Sequence, residues 1–145
     1  FPTRRSSDLY TANTIIGTGA LRWNTNRSFL VAVGDSALHN NSYQLAEGSA
    51  EGIQNTGIGS KALFTNSTGQ SNTALGYQSL FTNLDGDFNT AIGTEALHAS
   101  TSGSRNTATG YKSLHQNTDG EHNTAAGSNA LYFNTTGTHN TALGS

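Results

Sequence analysis

Asn72-Thr73-Ala74-Leu75-Gly76 is the stretch whose reading decides the fold. It returns as Asn89-Thr90-Ala91-Ile92-Gly93, Asn106-Thr107-Ala108-Thr109-Gly110, Asn123-Thr124-Ala125-Ala126-Gly127 and Asn140-Thr141-Ala142-Leu143-Gly144, with Asn55-Thr56-Gly57-Ile58-Gly59 upstream. Each copy starts 17 residues after the one before. A short fixed period is the signature of a solenoid, in which each repeat is one turn and buries its faces against its neighbours. The expected architecture is a β-solenoid, a parallel β-roll, with rungs starting at Asn13, Leu30, Asn55, Asn72, Asn89, Asn106, Asn123 and Asn140. The second rung carries eight extra residues, expected as a surface loop within 42–51, since solenoids take insertions at loops on one face.

With rung positions numbered from the Asn, each column states a physical requirement. Position 5 is glycine in every rung: Gly17, Gly34, Gly59, Gly76, Gly93, Gly110, Gly127 and Gly144. Position 15 is Gly52, Gly69, Gly86, Gly103, Gly120 and Gly137, with Arg27 the exception. Two fixed glycines per turn predict two corners where φ is positive or backbones approach closely. Position 9 is Leu21, Leu38, Leu63, Leu80, Leu97, Leu114 and Leu131, the predicted core. Positions 1 to 5 read as a strand. Position 2 (Thr) and position 4 (Ile, Val or Leu) share one face by the two-residue period, and that face is expected to be buried. Ala at position 3 is then expected to point outward.

Positions 6 to 11 allow two readings. Ala or Ser at position 8 sits beside Leu at position 9, and a strand would bury only one of the two. Helix-capping types at position 6 (Thr18, Asp35, Ser60, Thr94, Ser128) and Asn at position 12 favour a single helical turn. A second short strand is the alternative. Positions 12 to 17 form the return turn.

Composition agrees with a polar scaffold. Hydrophobic residues are 33% and charged residues 11%, against about 45–50% apolar in ordinary domains. Cysteine is absent and the net charge is −2, which excludes a disulfide framework and argues against a nucleic-acid partner. No apolar run is long enough to span a membrane. Residues 1–9, FPTRRSSDL, fit no column and read as the translation of a sequencing-library adapter. The single solenoid is expected over residues 10–145, as a fragment of a longer protein.

One rung buries few large side chains, so ladder hydrogen bonds and rung stacking must supply the rest. A homotrimer would bury a second apolar face, expected as the Ala of position 3 with Phe64, Phe81 and Tyr132 of position 10. The columns resemble the head repeats of trimeric autotransporter adhesins, whose Asn-Ser-Val-Ala-Ile-Gly motif lies in a left-handed parallel β-roll. The Ala-Leu pair and the Asn-Thr-Thr-Gly return are also similar to repeats of bacterial and phage tail-fibre-like proteins. The resemblance covers Asn13 to Ser145 and departs in rung length. It implies a non-enzymatic adhesive module on the cell surface, a homotrimer meeting a host-surface or matrix receptor. The alternative it implies is a tail-fibre segment on a virion.

Catalytic and cofactor chemistry finds little support in the columns. His98 and His115 share position 10, and His122 and His139 share position 17. Each pair could reach a common metal, but no third ligand recurs beside them, so no metal or cofactor is expected. Asp85, Asp87, Asp119 and Glu121 flank Gly86 and Gly120, where turn chemistry accounts for them better than glycoside hydrolysis or calcium binding. Asn at position 1 and Thr at position 2 are ladders. A surface Thr array could bind ice, although only one Thr per rung lines up throughout. Asn-x-Ser/Thr sequons stand at Asn26, Asn40, Asn66 and Asn134.

Overall fold

The computed structural model describes residues 12–24, 28–41 and 52–145. The adapter-like residues 1–9 and the insertion within 42–51 lie outside the described residues. The described strands are β1 (Thr14–Ile16), β2 (Val31–Val33), β3 (Asn40–Asn41), β4 (Thr56–Ile58), β5 (Thr65–Asn66), β6 (Thr73–Leu75), β7 (Thr82–Asn83), β8 (Thr90–Ile92), β9 (Thr107–Thr109), β10 (Thr124–Ala126) and β11 (Thr141–Leu143). They form a parallel β-solenoid. One eight-stranded sheet runs β1-β2-β4-β6-β8-β9-β10-β11, and one three-stranded sheet runs β3-β5-β7. The pairing register advances by one repeat per rung, as in Thr73↔Thr90, Ala74↔Ala91 and Leu75↔Ile92.

The second leg contains no helix among the described residues, and its strand lies at positions 11 and 12. Positions 5 to 8 close a turn instead, with the position 8 amide donating to the glycine carbonyl three residues back, as in Ala96 to Gly93 at 3.3 Å. Other amides of this leg bond to neighbouring rungs: Leu80 N to Ala96 O at 2.9 Å and Thr82 N to His98 O at 3.0 Å. A helix would spend those donors within its own segment; here they tie rung to rung. The adjacent Ala and Leu are both buried because the backbone bends between them. Leu38, Leu63, Leu80, Leu97 and Leu114 all have φ of 49°, a left-handed conformation that breaks strand alternation.

The facing of the long sheet is the reverse of the sequence expectation. Position 3 points inward: Ala74, Ala91 and Ala108 are 0% exposed. Position 4 points outward, with Leu75 44% and Ile92 39% exposed. Gly57 shows the reason. A Cβ built there would lie 3.3 Å from Leu38 Cγ and 3.2 Å from the Ala62 carbonyl oxygen. The space between the two legs is already occupied by the leucine of position 9, so Ala or Gly stands opposite it in every rung but the first, where Ile15 is half-buried. The expected trimer face built on the Ala of position 3 falls with this correction.

Of the predicted core leucines, Leu38, Leu63, Leu80, Leu97 and Leu114 are fully buried; Leu21 is also buried and Leu131 partly so. The glycines of position 5 carry positive φ throughout, for example 135° at Gly76, where a Cβ would meet the Gly93 carbonyl at 2.7 Å. Position 15 is glycine for close approach: a Cβ on Gly103 would stand 2.5 Å from the Gly120 carbonyl oxygen.

Candidate functional site

The interior polar columns are structural. The position 1 asparagines Asn55, Asn72, Asn89, Asn106 and Asn123 are buried. Each Oδ1 accepts the backbone N–H of the next rung's position 1, as Asn72 does from Asn89 at 2.9 Å. Each Nδ2 donates to the position 15 glycine carbonyl of its own rung, as Asn72 does to Gly86 at 2.8 Å. The position 12 asparagines reach the same carbonyl from the other side, Asn83 to Gly86 at 2.8 Å, and also the Asn one rung back, Asn83 to Asn66 at 2.7 Å. These bonds satisfy amides that would otherwise be costly to bury. They also make Asn66 a poor modification acceptor, since it is buried. Asn40 and Asn134 are half-buried, and Asn26 lies outside the described residues.

The flank of the short leg carries a continuous stack of rings. His39, Phe64, Phe81, His98, His115 and Tyr132 lie face to face with centroids 4.9, 5.1, 5.1, 5.0 and 4.7 Å apart in turn. Sequence reasoning noted the histidine pair and the aromatics separately and missed the single column. The available signal was a planar ring at position 10 of every complete rung from Leu30 onward. His115 Nε2 lies 3.2 Å from Glu95 Oε2, and Lys112 Nζ lies 3.4 Å from the same oxygen. Burial in the stack, then repulsion from His115, pushes the His98 pKa down. Burial raises the Glu95 carboxyl, but the hydrogen bonds from His115 and Lys112 outweigh it and hold the group below its ordinary value.

His122 and His139 also stack, at 4.7 Å, and are exposed. No group of three or more His, Cys, Asp or Glu side chains suited to a metal ion occurs among the described residues. Two of the turn carboxylates bond to the preceding rung: Asp87 Oδ1 accepts the Gln70 N–H at 2.8 Å, and Asp119 Oδ1 accepts the Ser102 hydroxyl at 2.6 Å. Among the described residues no helix is long and apolar enough to cross a membrane.

The remaining surface with a regular pattern is the outward face of the eight-stranded sheet. It presents position 2, threonine in seven of eight strands, beside position 4, which is Ile16, Val33, Ile58, Leu75, Ile92, Thr109, Ala126 and Leu143. Tyr77 and Tyr111 stand exposed at its border. No family model, curated protein or solved structure matches the chain.

Proposed function

We propose that this chain is a non-enzymatic structural and adhesive repeat module of a trimeric bacterial surface adhesin. One observation carries the reading: the asparagine, glycine and leucine columns are consumed in joining rungs. The asparagines bond rung to rung, the glycines admit neighbouring carbonyls and the leucines fill the core. Such a design specifies a rod. Its eight strands at about 4.8 Å spacing span roughly 34 Å.

The homotrimer would form along the ring-stack flank of the short leg. That flank carries the half-buried edges of Phe64, Phe81 and Tyr132 and the exposed Phe133. Association there would cover apolar area that the monomer leaves wet. The receptor would be a host-surface or matrix molecule, and the module would sit outside the cell. The second reading is a segment of a phage or phage-derived tail fibre. It is favoured by the buried Ala-Leu pairs, such as Ala96-Leu97, which those fibre repeats share. Analytical ultracentrifugation of the full chain tests the assembly, with three times the monomer mass expected. A folded monomer at high concentration sinks the trimer.

A further inference from the structure

We propose that the outward face of the eight-stranded sheet binds ice. Thr56, Thr73, Thr90, Thr107, Thr124 and Thr141 are paired in register from strand to strand. They form one straight file with a step of about 4.8 Å. The position 4 file runs parallel to it, two residues along each strand, at roughly 6.6 Å. Both files point away from the core, because position 3 is the buried one. Val31, in the threonine file, is the near-isostere of threonine.

The chemistry of the face selects its partner. No Asp, Glu, Lys, Arg or His occurs at positions 2 to 4 of any strand, although charged residues border the sheet at Asp35, Lys61, Glu95 and Lys112. A neutral partner is therefore matched and a charged one is not. Each threonine offers a methyl and a hydroxyl on a stiff χ1, so the array is preordered and loses little entropy on binding. A partner that exploits such an array must itself repeat at a fixed short interval over many rungs. The ice lattice does so: its surface consists of neutral rows of hydrogen-bonding oxygens at comparable steps. Threonine hydroxyls can join such rows while the methyls and the aliphatic file confine the intervening water. The exposed Ile58, Leu75 and Ile92 extend the face without adding charge. This activity is independent of trimer formation through the other flank.

Ice-affinity partition of the full chain tests the proposal. A polycrystalline shell is grown slowly from dilute protein, and the amount in the ice is compared with that of an inert globular control. Enrichment of the wild type is expected. Thr90→Lys with Thr107→Lys should lose it, while Thr65→Lys with Thr82→Lys, on the short sheet, should keep it. Circular dichroism melts establish that each variant folds; if the first pair does not fold, Ile92→Lys serves as the variant on the same face. Exclusion of the wild type from ice, like the control, overturns the proposal. So does equal enrichment of a folded variant of this face. Wild-type exclusion together with a sedimentation change in the Thr90→Lys, Thr107→Lys pair identifies the face as a contact between copies instead.

Discussion

Asn83 Oδ1 and Ser100 Oγ lie in the same buried column, and neither has a hydrogen-bond partner. Ser100 occupies position 12, where Asn66, Asn83, Asn117 and Asn134 carry an amide. Its hydroxyl is too short to reach the groups an amide would join, so the ladder is interrupted between Asn83 and Asn117. Gly103 accordingly receives one side-chain amide, from Asn89 at 2.7 Å, where Gly86 and Gly120 each receive two.

Ser100→Asn should therefore stabilise the protein. The new Nδ2 would donate to Asn83 Oδ1 and the Gly103 carbonyl, and the new Oδ1 would accept from Asn117. Satisfying buried polar groups in this way is worth about 1–3 kcal/mol. Urea unfolding measures it. An unchanged or lowered midpoint would mean that the gap is structurally required.

Backbone conformation at the corner separates two neighbouring positions. Gly76 has φ of 135° and faces the Gly93 carbonyl, so Gly76→Ala should cost about 2 kcal/mol or more. Gln78, at φ 52°, holds a left-handed conformation at a position where other rungs place Gly19 and Asn129. Asparagine tolerates that conformation better, and Gln78→Asn should gain about 0.5–1 kcal/mol. Thermal melts of both variants check the opposite signs.

The ring stack should make stability fall in mild acid. His98 titrates below the ordinary 6.5 of a free imidazole, so the unfolded chain takes up the proton more readily than the folded one. Its stabilising effect is complete above that ordinary value and is lost as pH falls below it. Protonation of His98 places a cation in the stack between Phe81 and His115, 5.0 Å from the His115 ring, with Lys112 also near and Glu95 opposing it. Glu95 adds a second loss further into acid, because its folded pKa lies below its ordinary 4.5. Melting temperature should drop from about pH 7.5 to about pH 5.5 and drop less in His98→Phe, which keeps the stack and removes that titration. Equal drops in the two proteins would remove His98 from the explanation.

Much of this architecture is written in the spacing. The period of the asparagine motif, the glycine corners and the leucine column follow from residue types that tolerate few alternatives. The facing of Thr-Ala-Leu does not. A strand period of two has two phases, and side-chain size favoured burying Leu75 or Ile92 over Ala74 or Ala91. The width left by Leu38 and its equivalents decided otherwise, and width is a property of the packed pair of legs. The conformation of the leucines was equally illegible, since nothing local directs Leu97 to φ of 49°. The ring column was present at position 10 but divided between two residue classes, which hid it. The outward threonine file was visible as a ladder, while its exposure depended on the same unresolved phase.

The facing of the long sheet underlies both the buried core and the outward threonine file, and one pair of adjacent substitutions tests it. Urea unfolding of Ala91→Lys and Ile92→Lys should give opposite results: loss of most of the folding stability for Ala91→Lys, and a change within about 0.5 kcal/mol for Ile92→Lys. A tolerated Ala91→Lys beside a severely destabilised Ile92→Lys would contradict the inward alanine file.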